Sequence, residues 1–274
     1  MKLSFCTVTY ASCASWIPAY TMEETIRRLS GIGYHYLEIV TAAPHAWPYY
    51  LDGKGRAAIR ESMKKYDMKA SAIMPYTGGG PGGNPASLDV EEWKWTVQYL
   101  KDVVDLAADL DCHMVPFMAG WNLFGQDKER AWENSRICLQ KTALYAEHKG
   151  IKISLVPALS HSGIVDTPED TWRMKRESGQ ENVVLGFDVM SAFARTQDPA
   201  DYIYSFGKAL EYLHVCDFER GVPGTKGADF EQWKTALDKV GYSGFATIEI
   251  GADRSVCADS AARQSLEFMK KWED

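Results

Sequence analysis

IKISLVPALSHSGIVDTPEDTWRMKRESGQENVVLGFD, residues 151–188, holds a complete strand–helix–strand unit. IKISLV and NVVLGFD are short, apolar and partly β-branched, as strands of a buried parallel sheet should be. Between them TPEDTWRMKRE carries helix-start signals: Thr167 as N-cap, Pro168 at the first helical position, and acids in the first turn.

The same alternation extends in both directions. Upstream lie KLSFC (2–6), HYLEIV (35–40), MKASAIM (68–74) and HMVPFM (113–118); downstream lie EYLHVCD (211–217) and FATIEIG (245–251). Amphipathic segments separate them. VEEWKWTVQYLKDVVDLAADL (90–110) puts Trp93, Val97, Leu100 and Val104 on one helical stripe, and MEETIRRLSGIG (22–33) ends in Gly31 and Gly33, a C-cap signal. Eight strands, each followed by a helix, predict a (β/α)8 TIM barrel, an α/β fold, spanning residues 1–274 as one domain. No GxGxxG fingerprint follows the first strand, which counts against a doubly wound dinucleotide fold.

Composition agrees with a globular protein. Apolar residues make up 46% and charged residues 24%, and the formal net charge is -7 with no basic tract, which argues against nucleic acid as a partner. The N-terminus lacks a signal-peptide pattern and no stretch is apolar enough to span a membrane, so a cytoplasmic protein without a membrane partner is expected. The six cysteines are scattered, without a CxxC pair, and read as reduced thiols. TGGGPGGNPAS (77–87) follows the third strand; it reads equally as a lid over the barrel mouth or as a surface loop.

Active sites of such barrels form at the C-terminal strand ends. Asp188 closes the sixth strand, His214 and Asp217 the seventh, and Glu249 the eighth. A carboxylate, an imidazole and a second carboxylate meeting at one mouth suit Mn²⁺, Mg²⁺, Co²⁺ or Zn²⁺. Trp16, Trp47, Tyr76, Phe117 and Trp121 lie in or near strand-end loops, where rings either stack on a ligand or pack the rim. Cys6 is placed at the pocket floor, with no base beside it to make it a nucleophile.

With those residues in view, the chain resembles the sugar phosphate isomerase/epimerase group of xylose isomerase-like barrels. The resemblance rests on KLSFCTVTY, LEIV, GFDVMSAF, LHVCDFERGVPGTKGADF and TIEIG, and covers nearly the whole chain. It implies an isomerase or epimerase acting on a small ketose, polyol or hydroxyketone by metal-assisted proton transfer. It also implies a homo-oligomer. Asp188, His214 and Glu249 match three of the group's four metal ligands, Glu249 also matching one of its two proton-shuttling glutamates. Arg220 matches an arginine that orients substrate or the catalytic glutamate. A nuclease of the endonuclease IV type shares the fold but resembles the chain less, since its site needs more ligands than these six histidines allow.

Three positions, on two strands, depart from the group's pattern. ISLVPALS puts Val156 where relatives carry the first glutamate, and Ala158 where a histidine often follows; Ser191 stands where a histidine follows the sixth-strand aspartate. A reduced site, binding its metal weakly or not at all, is the consequence. His161, in the loop after the fifth strand, is a candidate substitute ligand or substrate contact, alongside Cys6, Trp121 and Ser191. Two alternatives therefore stand beside the isomerase: a sugar-binding barrel without turnover or dependent on a partner, and a dehydratase of the dehydroshikimate or inosose type.

Overall fold

A computed structural model describes residues 1–11, 20–43, 45–77, 83–158, 162–251 and 257–273. Eight parallel strands wind in chain order: β1 (Lys2–Cys6), β2 (Tyr36–Val40), β3 (Lys69–Met74), β4 (Met114–Met118), β5 (Lys152–Val156), β6 (Val183–Asp188), β7 (Leu210–Val215) and β8 (Phe245–Ile248). Their order in the sheet is β3-β2-β1-β8-β7-β6-β5-β4, so β1 and β8 pair and the barrel nearly closes, with a seam between β3 and β4. Every strand read from the sequence is present. The expected (β/α)8 architecture is the observed one.

Helices cover the outside: α1 (Met22–Ile32), α2 (Gly53–Lys65), α3 (Val90–Asp109), α4 (Lys128–Glu147), α5 (Pro168–Ser178), α6 (Val189–Phe193), α7 (Pro199–Phe206), α8 (Phe230–Val240) and α9 (Ala258–Met269). Their starts are fixed by side-chain caps. Thr21, Asp52, Asp89, Asp127, Asp198 and Asp229 each accept a backbone N–H of the first turn. Thr167 and Asp170 form a full capping box on α5, behind the Pro168 that begins it. Gly33 ends α1 at φ 119°, a conformation glycine adopts freely, whereas Gly31 lies inside the helix and is no cap.

The main apolar layer lies between strands and helices, where Leu37, Ile39, Val115, Phe117, Phe187 and Leu213 are fully or almost fully buried. Alternate residues point into the barrel, so the register of β6 on β7 decides what meets there: Asp188 pairs with His214. His214 in turn pairs with Thr247 on β8, and the Glu249 N–H continues that ladder onto Val215 at 3.1 Å. Three strand ends thus deliver their polar side chains to one place. No helix among the described residues is long and apolar enough to cross a membrane.

Candidate active site

Donor atoms of Asp188, His214 and Glu249 all lie within 4.8 Å of one another at the C-terminal mouth of the barrel. His214 Nδ1 is 2.7 Å from Glu249 Oε2 and 3.7 Å from Asp188 Oδ2. Arg220 closes the group. Its two terminal nitrogens donate to Glu249 Oε2 and Asp188 Oδ2, each at 2.6 Å. The other oxygen of Asp188 accepts the Met190 N–H at 2.9 Å, so this carboxylate also caps α6.

The far side of the imidazole is equally well fixed. His214 Nε2 lies 2.7 Å from Glu38 Oε1, and the Tyr212 hydroxyl donates to Glu38 Oε2 at 2.6 Å while also touching His214 Nε2. A carboxylate facing one ring nitrogen leaves the other aimed at Asp188 and Glu249, the arrangement that orients a metal-binding histidine. Glu38 and Tyr212 were not singled out by the sequence reading. Their signal was available: Glu38 is the lone acid in the apolar strand YLEIV, and Tyr212 shares a strand face with His214, two residues away.

Burial and charge compete throughout this cluster. Burial pushes the Asp188 carboxyl up, but the Arg220 and His214 charges overcome it and hold the pKa at about 2. Burial likewise opposes ionisation of Glu249, and the same two cations pull its pKa below the usual value. For His214 burial favours the neutral ring, but Glu38 and Glu249 reverse that and raise its pKa well above the ordinary range. Burial, then the nearby Glu38 and Glu249 charges, pushes the Cys6 thiol up, which makes it a poor nucleophile.

Arg220 is presented by an unusual turn. Glu219 and Arg220 both have left-handed backbone, at φ 54° and 56°. Such consecutive non-glycine residues persist only where surrounding contacts over-determine them. Here Asp217 supplies those contacts, its carboxylate accepting the N–H groups of Phe218, Lys226 and Ala228. Asp217, read as a strand-end residue, therefore serves the loop and stands apart from the ligand cluster. The Arg220 carbonyl accepts the Gly251 N–H at 2.9 Å, tying this turn to the segment after β8.

A cavity of about 200 Å³ opens on the cluster, lined by Asp188, Tyr212, His214, Arg220 and Glu249 together with Tyr76, Phe117 and several apolar side chains. Val156 is among them, in the place where the resemblance leads one to expect a glutamate. Other sequence candidates are placed elsewhere. Ser191 is fully buried in α6, its hydroxyl donating to the Pro157 carbonyl at 3.0 Å. Cys6 is fully buried and absent from the cavity wall. Trp121 is held through its backbone by Asn84 and is also not part of the wall. Trp47 packs against Tyr49, Trp95 and Tyr99. His161 and Trp16 lie outside the described residues, as does the central part of the 77–87 loop.

A family model described as the xylose isomerase-like TIM barrel matches residues 26–272. The chain belongs to that family. Among its curated relatives, a fructoselysine 3-epimerase of Shigella flexneri is 22% identical over 252 residues, covering 90% of this chain and 91% of the relative. An L-ribulose 3-epimerase of Methylomonas sp. (strain DH-1) is 23% identical over 256 residues, covering 87% of each. Of the solved structures, a D-psicose 3-epimerase crystallised in the presence of D-fructose superimposes with a TM-score of 0.85 at 17% identity, covering 99% of both chains. At that identity the superposition speaks for the fold.

Two carboxylates and an imidazole converge, and the imidazole is oriented by Glu38; this suits a divalent cation with open coordination positions. The fifth strand adds nothing to it, because valine has no donor atom. The residues present fit a three-ligand site.

Proposed function

We propose that the protein is a sugar isomerase or epimerase that moves a proton at the carbon beside the carbonyl of a small ketose or hydroxyketone. The observation that carries this reading is the convergence of Asp188, His214 and Glu249 within 4.8 Å at the barrel mouth. The 3-epimerase activities named for relatives that cover most of their length with this chain support it.

A divalent cation held by Asp188, His214 and Glu249 would supply a Lewis acid for the substrate carbonyl. The chain's own groups do the rest. Arg220 keeps Glu249 ionised, ready to accept the proton of the carbon beside the carbonyl. Glu38 and Tyr212 hold the imidazole of His214 in one orientation. With Val156 on the fifth strand, no second carboxylate lines the opposite wall among the described residues, so water or a substrate hydroxyl returns the proton there. The thiols of Cys6, Cys112, Cys138, Cys216 and Cys257 are unpaired, which suits a cytoplasmic setting.

The test is exchange of the substrate's α-proton in D2O, followed by NMR with Mn²⁺-loaded protein and a panel of ketoses and hydroxyketones. Glu249→Gln is expected to lower the exchange rate at least a hundredfold. Absence of exchange across the panel in the unmodified protein would overturn the reading. It would favour a second one, a barrel that binds without turnover, for which Val156 is the specific support.

A further inference from the structure

Charge is distributed unevenly around the cavity. Asp188, His214, Arg220 and Glu249, from β6 to the end of β8, form one side. Facing them are Val8, Met74, Pro116, Met118 and Val156, from the turn after β1 and from β3, β4 and β5. Met118 and Val156 are register partners on adjacent strands and share the inward face. Gly186, next to Val156, has no side chain to displace it: a Cβ there would lie 2.8 Å from Val156 Cγ2. The wall is backed by apolar side chains as well, Val156 packing with Ala72 and Met114, and Met74 with Val40 and Val8.

Apart from Tyr76 and Thr77, which follow β3 and bring two hydroxyls to the lining, the hydrogen-bonding capacity of this wall is low among the described residues. The Met74 carbonyl already accepts the Thr41 N–H at 2.9 Å and the Thr41 hydroxyl at 3.0 Å. The Tyr212 hydroxyl is committed to Glu38. These groups stand on strands and at strand ends, so loop movement at the mouth does not replace them. A polyhydroxylated chain lying across Met74, Met118 and Val156 would strip water from hydroxyls that find no partner on those side chains, which weakens binding at each such position.

We propose that the preferred substrate is an α-hydroxyketone with an alkyl or aryl body: a polar head of adjacent carbonyl and hydroxyl against Asp188, His214 and Glu249, and an apolar substituent against Met74, Met118 and Val156. This rests on the reading that the cavity is the substrate site. It departs from the sugars that the relatives are named for, because the recognition surface next to the reacting carbon offers dispersion contacts in place of hydrogen bonds.

Two open-chain probes that do not close to rings separate the possibilities. L-erythrulose and 1,3-dihydroxypentan-2-one share the 1,3-dihydroxy-2-ketone head and differ at C4, where a hydroxyl in the first is a methyl in the second. Binding to the Mn²⁺-loaded protein is measured by titration calorimetry, and C3 deuteration in D2O by NMR on the same samples. The methyl compound is expected to bind tenfold to a hundredfold more tightly. Val156→Thr, which changes one wall methyl to a hydroxyl at constant shape, should narrow that ratio. Equal binding, tighter binding of erythrulose, or no binding of either probe would overturn the inference. Tighter binding of the methyl compound without C3 deuteration would uphold it as a binding specificity while removing the proton-transfer reading. Deuteration of both probes at equal affinity would do the reverse.

Discussion

Arg220→Met removes a cation and keeps much of the side chain's apolar volume. The guanidinium donates to Asp188 and Glu249 at 2.6 Å each. Burial by itself raises the Asp188 pKa; the Arg220 and His214 charges reverse this and bring it to about 2. An aspartate in an unfolded chain titrates near about 3.9, so the difference contributes about 2.5 kcal/mol of stability at neutral pH. The folded pKa is the lower one. That contribution is therefore complete above about pH 4–5 and lost as the pH falls towards about 2. Without Arg220, the three buried carboxylates of Glu38, Asp188 and Glu249 share one imidazole, and removing one partner of a buried ion pair typically costs about 3–5 kcal/mol. The variant should lose about that much at pH 7. Burial is then opposed only by His214 and the Met190 N–H, the Asp188 carboxyl moves upward, and a folded pKa above the unfolded one makes stability increase as pH is lowered from 7 towards 5. The unmodified protein gains nothing from this group over that interval. Urea denaturation at several pH values, read as midpoints at a common slope, measures both effects. Adding Asp188→Asn should recover part of the loss, a non-additivity expected of groups in one network. A pH 7 change below about 0.5 kcal/mol, or parallel pH profiles, would show that the guanidinium is not the counter-charge of this site.

Glu38→Gln keeps the shape of the group behind His214 and weakens its hold on Nε2; Mn²⁺ affinity measured by calorimetry should fall about 10- to 100-fold with the fold intact. Mn²⁺ binding should also release about one proton, because burial notwithstanding, Glu38 and Glu249 keep His214 protonated well above its ordinary range, and a metal ligand must be neutral. Affinity should therefore climb with pH from 6 to 8, and titrations in two buffers of different ionisation heat will report the proton. Gly186→Ala drives a methyl against Ser154 Oγ and to 2.8 Å from Val156 Cγ2, and should cost about 3 kcal/mol in a thermal or denaturant melt. Gly31→Ala, inside α1 with nothing within 4 Å of the added carbon, should instead stabilise by about 0.5–1 kcal/mol in the same assay.

The eight strands were legible because a strand buried on both faces must be apolar along its whole length, and nothing else in the chain carries that pattern without helical periodicity. Asp188, His214 and Glu249 were legible for the converse reason: each is a polar residue at the end of such a run. Glu38 escaped because its meaning depends on a partner 176 positions away across the barrel. Strand parity says that Glu38 points inward, but it does not say that Tyr212 and His214 stand opposite. Ser191 was misplaced by a local effect. The Asp188 carboxylate starts α6 at the very next residue, and the helical turn swings Ser191 onto the Pro157 carbonyl. Cys6 lies on the expected strand, yet it is buried out of reach of the cavity surface.

Val156 is the residue that ties the electrostatics of the site to its shape. Glu38, Asp188 and Glu249 place three carboxylates near the barrel axis, against Arg220 and a protonated His214. Three negative and two positive charges leave one in excess, a small imbalance for a buried site. When His214 loses its proton the excess becomes two, which is the charge a divalent cation neutralises. A fourth carboxylate at position 156 would add a further negative charge to both states, in a cavity whose adjoining wall, Met74, Pro116 and Met118, has no cation to offset it. The valine removes that charge and continues the apolar surface at the same time. The absent ligand and the low hydrogen-bonding capacity of the wall are therefore one feature of the molecule, and any substitution that restores the acid must disturb both.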